Sequence, residues 1–186
     1  DETAEALLDT DPTLVEITGD QAADEDFLTA IANAGATDVT VTSDATLTND
    51  QYNTLIGLFA SVTPDAGVVI TVSGGMTVAD AAAALALDPA LVFDLEDTSA
   101  NLAAAGATGD AAVNITTTDD ATVAEFNAIE ALLNTGVNSY VGVIDTVANI
   151  AGAAIDATVG DLTITDALGT ARSEERRVGK ECRSRW

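Results

Sequence analysis

Residues 92–106 read VFDLEDTSANLAAAG, and the fold follows from how that phrase changes period halfway along. Phe93 and Leu95 alternate with Asp94 and Glu96, the pattern of a strand with one apolar and one wet face. From Thr98 onward the residues favour a short helix, with Gly106 placed to close it. Strand thus passes into helix through an acid–hydroxyl turn. The phrase recurs: DTSANLAAAG (97–106) and DTVANIAGAA (145–154) share D-T-x-A-N-[LI]-A. A second pair, DATLTNDQYNTLIGL (44–58) and DATVAEFNAIEALL (120–133), matches after a two-residue slip.

Working outward, the apolar–polar–apolar motif appears seven times. It ends at residues 17, 41, 72, 95, 115, 143 and 164, at intervals of 24, 31, 23, 20, 28 and 21. Such lengths suit one strand and one helix per repeat. Helical faces are expected from Phe27, Leu28 and Ile31, then from Leu47, Leu55, Ile56 and Phe59. A third comes from Val123, Phe126, Ile129, Leu132 and Leu133. Gly35, Gly106 and Gly136 are expected as helix C-caps.

Strand–helix–strand connections imply a parallel sheet with right-handed crossovers. A doubly wound sheet, covered on both faces, should carry nearly continuous apolar strands. Here Thr40, Thr42, Thr71, Ser73, Asp94, Glu96, Thr116, Thr163 and Thr165 fall on one face and the apolar residues on the other. The expected fold is therefore α/β: a right-handed strand–helix solenoid like the leucine-rich-repeat horseshoe, with helices on one face. The alternative is a doubly wound parallel sheet.

The phrases VFDLEDTSANLAAAG and VIDTVANIAGA, with DATVAEFNAIEALL between them, resemble repeat segments of large bacterial secreted or surface proteins. These are type I secreted proteins associated with haemolysin-type calcium-binding repeats. The resemblance spans about residues 39–167. It implies an extracellular or cell-surface location and a structural or adhesive role. The family's calcium nonapeptide is missing, since Gly74-Gly75 lacks the Gly and Asp that should follow. No calcium ligand is carried over from it.

All six basic residues, Arg172, Arg176, Arg177, Lys180, Arg183 and Arg185, lie in the last fifteen positions with Cys182 and Trp186. Three of the 31 acids are there too, which leaves 28 acids and no Lys, Arg or His in residues 1–171. RSEERRVGKECRSRW also resembles the translation of a sequencing adapter. Residues 172–186 are therefore expected to be foreign, and residues 1–171 to be an array of about seven coils with both natural ends missing.

An array without cations repels nucleic acid and anionic membrane, which are bound through Lys and Arg. No apolar run reaches the roughly 20 residues of a membrane span. Its expected partners are neighbouring repeats, with surface carbohydrate or protein on the threonine-rich face. A threonine row also suits ice, but Asp94, Glu96, Gly142 and Ile144 interrupt it, and threonine suits any exposed strand.

Without His, Cys, Lys or Arg in residues 1–171, serine triads and zinc sites are excluded. A two-carboxylate glycosidase would lack aromatic sugar platforms, Tyr52 and Tyr140 being the sole tyrosines. No enzyme is expected. The acids Asp20, Asp44, Asp97, Asp145 and Asp166, with Thr98, Ser99 and Thr146, are expected to cap the helix that follows each strand. Asn101 and Asn149 should bond backbone at that turn. The sharper reading is calcium, which favours clustered carboxylates. Its candidate ligands are Asp94, Glu96, Asp97, Asp119 and Asp120, with Asp24-Glu25-Asp26 a further cluster.

Overall fold

The computed structural model describes residues 13–155 and 159–166, so the basic tail lies outside the described residues. The elements run β1 (Leu14–Ile17), α1 (Gly19–Ala22), α2 (Glu25–Asn33), β2 (Asp38–Val41), β3 (Ala45–Thr48), α3 (Asn49–Leu58), β4 (Ser61–Pro64), β5 (Ile70–Met76) and α4 (Val78–Leu87). They continue as β6 (Val92–Asp97), α5 (Ser99–Ala103), α6 (Ala107–Ala111), β7 (Ile115–Thr117), β8 (Asp120–Ala121), α7 (Val123–Glu130), β9 (Asn138–Asp145), α8 (Val147–Gly152) and β10 (Val159–Ile164).

Among the described residues every strand pair is parallel. One sheet is ordered β1-β2-β4; the other runs β3-β5-β6-β7-β9-β10, with β8 also pairing β9. This is an α/β fold of parallel strands and helices, the class expected. It is compatible with a doubly wound sheet as well as with a solenoid.

Side chains alternate as the period predicted. Val39 and Val41, Ala45 and Leu47, Ile70 and Val72, and Phe93 and Leu95 are buried, while Thr46, Thr48 and Glu96 are exposed. Register stacks like on like: Leu47 beside Val72, Val72 beside Phe93, and Leu95 beside Ile115. Together with Leu28 and Ile31 of α2, Leu55 of α3 and Phe126 and Ile129 of α7, these residues form one core. Burying a side chain of this size stabilises by about 1.5–3 kcal/mol. α4 contributes Ala81 and Ala84, both fully buried, and their small size lets its backbone lie close to the sheet.

Several local readings need correcting. Leu47 belongs to a strand, because Ala45-Thr46-Leu47-Thr48 alternates before Thr48 opens the helix. Val141 is exposed and Tyr140 points inward, where its ring meets Phe126 at 4.8 Å between centroids and its hydroxyl donates to Glu130 Oε1. Leu133, beyond the end of α7, is 76% exposed. Gly35 does follow a helix end: at φ 111° it lets its own N–H reach the Ala32 carbonyl while Ala36 N–H reaches Ile31. Gly106 instead opens α6. Gly136 is no cap, and its N–H donates to the Val113 carbonyl of the preceding strand–helix unit.

Candidate functional site

The helices open on threonine. Thr18, Thr48, Thr77, Thr98, Thr122 and Thr146 each sit in extended conformation, and each Oγ1 accepts the amide three residues on. At Thr18, Thr48 and Thr122 a Gln or Glu returns the bond, completing a capping box. The acids therefore do not play the part expected of them. Two helices are exceptions: α2 is capped by Asp24 itself, with Glu25 and Asp26 in its first turn, and α6 opens on Gly106 without a side-chain cap.

Threonine satisfies the third amide of six helices, and in α1, α4, α5, α7 and α8 the first amide is satisfied from the next unit along. Asp97 Oδ2 accepts Val78 N–H at 3.0 Å, Asp119 Oδ1 accepts Ser99 N–H at 2.7 Å, and Asp145 Oδ2 accepts Val123 N–H at 3.1 Å. Asp166 Oδ2 does the same for Val147 at 2.9 Å, and Ser43 Oγ for Gly19 at 2.9 Å. The acceptor lies 19 to 24 residues after the donor. Each carboxylate thus meets an orphan amide at the positive end of a neighbouring helix.

At the two D-T-x-A-N sites the other oxygen works locally. Asp97 Oδ1 accepts Thr98 N–H and Asn101 Nδ2, and Asp145 Oδ1 accepts Thr146 N–H and Asn149 Nδ2. The asparagines therefore hold the aspartate instead of backbone. Burial pushes Asp97 up, but its bonds from Asn101, Val78 and Thr98 outweigh that and hold the carboxyl below its ordinary value. Asp145 is lowered by Thr146, then by Asn149, with burial opposing and the Val123 bond adding to the lowering.

The calcium candidates are scattered over this scheme. Asp94 Oδ1 accepts the amide and side chain of Asn114. Glu96 packs against Gly75, where a Cβ would collide with its side chain. Asp97 and Asp119 serve different helices, α4 and α5, and Asp120 lies beside Gly142. Among the described residues no three acids gather where they could hold a metal ion. Asp20 lies within α1, and Asp44 accepts Val69 N–H. Ser99 is the first residue of α5.

Two open grooves flank the ladder. One, of about 500 Å³, is lined by Val78, Ala79, Asp97 and Asn101; the other, of about 400 Å³, by the equivalent Val123, Ala124, Asp145 and Asn149. Their walls are small aliphatic side chains, and their carboxylates already accept three bonds each. Hydroxyls line up across strands, Thr40 beside Thr63, Thr46 beside Thr71 and Thr48 beside Ser73, with Thr40 and Thr71 half-buried and the others exposed.

Sequence reasoning found the acids but missed which amide each one serves. The signal was T-x-x-[QE], the capping-box spacing at Thr18, Thr48 and Thr122. Compared with protein-family models, curated proteins and solved structures, the chain matches none of them. Among the described residues no helix is long and apolar enough to cross a membrane.

Proposed function

We propose that residues 1–171 are a non-catalytic spacer or adhesive stalk segment from a large secreted or cell-surface bacterial protein, built as a strand–helix solenoid. Residues 172–186 are foreign to it. The observation that carries this reading is the strand order. Within the long sheet β3, β5, β6, β7, β9 and β10 follow one another in sequence order without a reversal, while β4 lies beside β2 in the other sheet and β8 pairs β9 off this path. A doubly wound sheet reverses at its switch point, and ligands bind there. The single core supports the same reading, because a sheet covered on both faces would divide its apolar residues between two. The amide-to-acid ladder ties α4, α5, α7 and α8 each to the next unit by a specific bond, which is how a repeat array gains cooperativity without long-range contacts.

Duplication tests it. Asp97 and Asp145 occupy equivalent positions, so a second copy of residues 98–145 can follow Asp145 with both junctions preserved. Each added copy brings two coils and should lengthen the particle by roughly 10 Å in small-angle scattering, at about 4.8 Å per strand. A particle that swells in all directions, or unfolds, would refute the array.

A second expectation follows from charge. With 28 acids and no cation in residues 1–171, screening removes only repulsion. Raising NaCl from about 0.01 M to about 1 M shortens the Debye length from roughly 30 to 3 Å and should raise Tm. At fixed ionic strength calcium should raise it no more than magnesium does, because the carboxylates are engaged by amides. A saturable rise specific to calcium would favour a calcium-stabilised ligand-binding module instead.

A further inference from the structure

The two grooves beside the ladder are built alike. Ala79, Ala82 and Ala104 line the one that holds Asp97, and Ala124, Ala148 and Gly152 line the one that holds Asp145. Both aspartates stand at the same place in D-T-x-A-N, and residues 1–171 contain no Lys, Arg or His to neutralise either.

What each groove offers a visitor is acceptors. Oδ1 of Asp97 and of Asp145 takes two bonds, from the following threonine amide and from the asparagine. Oδ2 takes only one, from Val78 or Val123. An ionised carboxylate has about four acceptor positions, so Oδ2 has room for one more donor. Nearby, Asn101 and Asn149 are exposed and spend their Nδ2 groups on the aspartates; among the described residues nothing donates to Asn101 Oδ1 or Asn149 Oδ1. The donors closest to each carboxylate are already turned onto it. A fitting ligand must therefore bring its own donors, a positive charge and an apolar stem that can lie along the small residues.

We infer that each groove takes a lysine side chain from a basic segment of another protein. The aliphatic stem lies along the alanines, and the ammonium sits between aspartate Oδ2 and asparagine Oδ1. Arginine suits the site less well. Its fork pairs with a carboxylate through two parallel bonds, and here Oδ1 has both acceptor positions filled. An ammonium is a point donor and needs only the vacant position on Oδ2. The chain's net charge of −25 draws such a segment in, and the grooves give it a place to stop. As a partner site this rests on the adhesive reading, for which it names the class of partner.

General attraction to so acidic a surface is the rival explanation, and groove-filling substitutions at constant charge separate the two. Ala82 and Ala148 are exposed helical residues of the first and second groove, so phenylalanine at either fills a groove and leaves every acid in place. The probe is the capped tripeptide acetyl-Gly-Lys-Gly-amide, titrated into the full 15N-labelled chain at physiological ionic strength and followed by NMR. Saturable shifts are expected at the amides of Ala79 and Ala124 and at the side-chain amides of Asn101 and Asn149. Ala82→Phe should abolish those of the first groove and keep those of the second; Ala148→Phe should do the reverse. The groove left open in each variant thereby reports that the chain has folded. The counterpart tripeptides with arginine should bind more weakly, and with norleucine not at all. Shifts spread over the exposed acids in general, an equal response to arginine or norleucine, or binding that survives in a filled groove would overturn the inference. None of these outcomes touches the array itself, which duplication tests by length and without any ligand.

Discussion

Phe93→Ala is expected to cost about 3–5 kcal/mol, a large share of the 5–15 kcal/mol that folded proteins of ordinary stability possess. Phe93 stands in β6, the middle of the long sheet, fully buried, with Val72 beside it in register. Removing the ring deletes buried surface and leaves a cavity that the neighbouring strands cannot close without losing their own register. Urea unfolding would read this as a fall in the midpoint at nearly constant slope. Val141→Ala is the matched control: it is on the same sheet but half-exposed, and it should move stability by no more than about 0.5 kcal/mol. Similar small effects at both positions would mean that the alternate strand residues do not share a tight core. The prediction is thus a direct test of the period-two reading.

That reading was the most legible part of the sequence, and the reason is physical. One wet face and one dry face impose alternation wherever a strand runs, so Val39/Val41, Ile70/Val72 and Phe93/Leu95 announced themselves. Alternation failed as a guide where it was short or broken. Asp120–Ala121 is only two residues long. In 138–145 the inward side passes from Tyr140 to the adjacent pair Gly142-Val143, so Val141 looked buried and is not. Ser61–Pro64 has one strong apolar residue, Val62, and a terminal proline, and gave no strand signal.

The ladder of caps was half legible. An acid after each strand is visible in one dimension. That Asp97 serves α4 behind it as well as its own turn depends on stacking, because its partner Val78 lies 19 residues earlier. The acid row looked like a metal site for the same reason: a list of acids carries no information about which amides face them. In a chain whose first 171 residues lack any cation, backbone N–H groups at helix starts are the available positive partners. Threonine and aspartate divide those amides between them, one from within the unit and one from the next.

Asp97→Ala should therefore weaken the fold near neutral pH by about 1–2 kcal/mol, the lower range for a charged cap that remains largely solvated. The pH dependence makes the test sharp. Asp97 and Asp145 have folded pKa values below the ordinary 3.8, so their stabilisation is complete above about pH 4 and disappears as pH falls through those lowered values. Falling pH also neutralises the net charge toward the isoelectric point near 4.1, which relieves repulsion and stabilises. Stability of the parent chain should accordingly climb on acidification, peak near that point and then drop as the ladder protonates. The variant should start lower, follow the same climb and show a shallower drop, so the two curves converge in strong acid. Thermal melts from pH 7 down to about pH 2 would trace both. A gap between parent and variant as wide in strong acid as at neutrality would show that Asp97 acts by packing, and the carboxylate-to-amide ladder would no longer explain what joins one unit to the next.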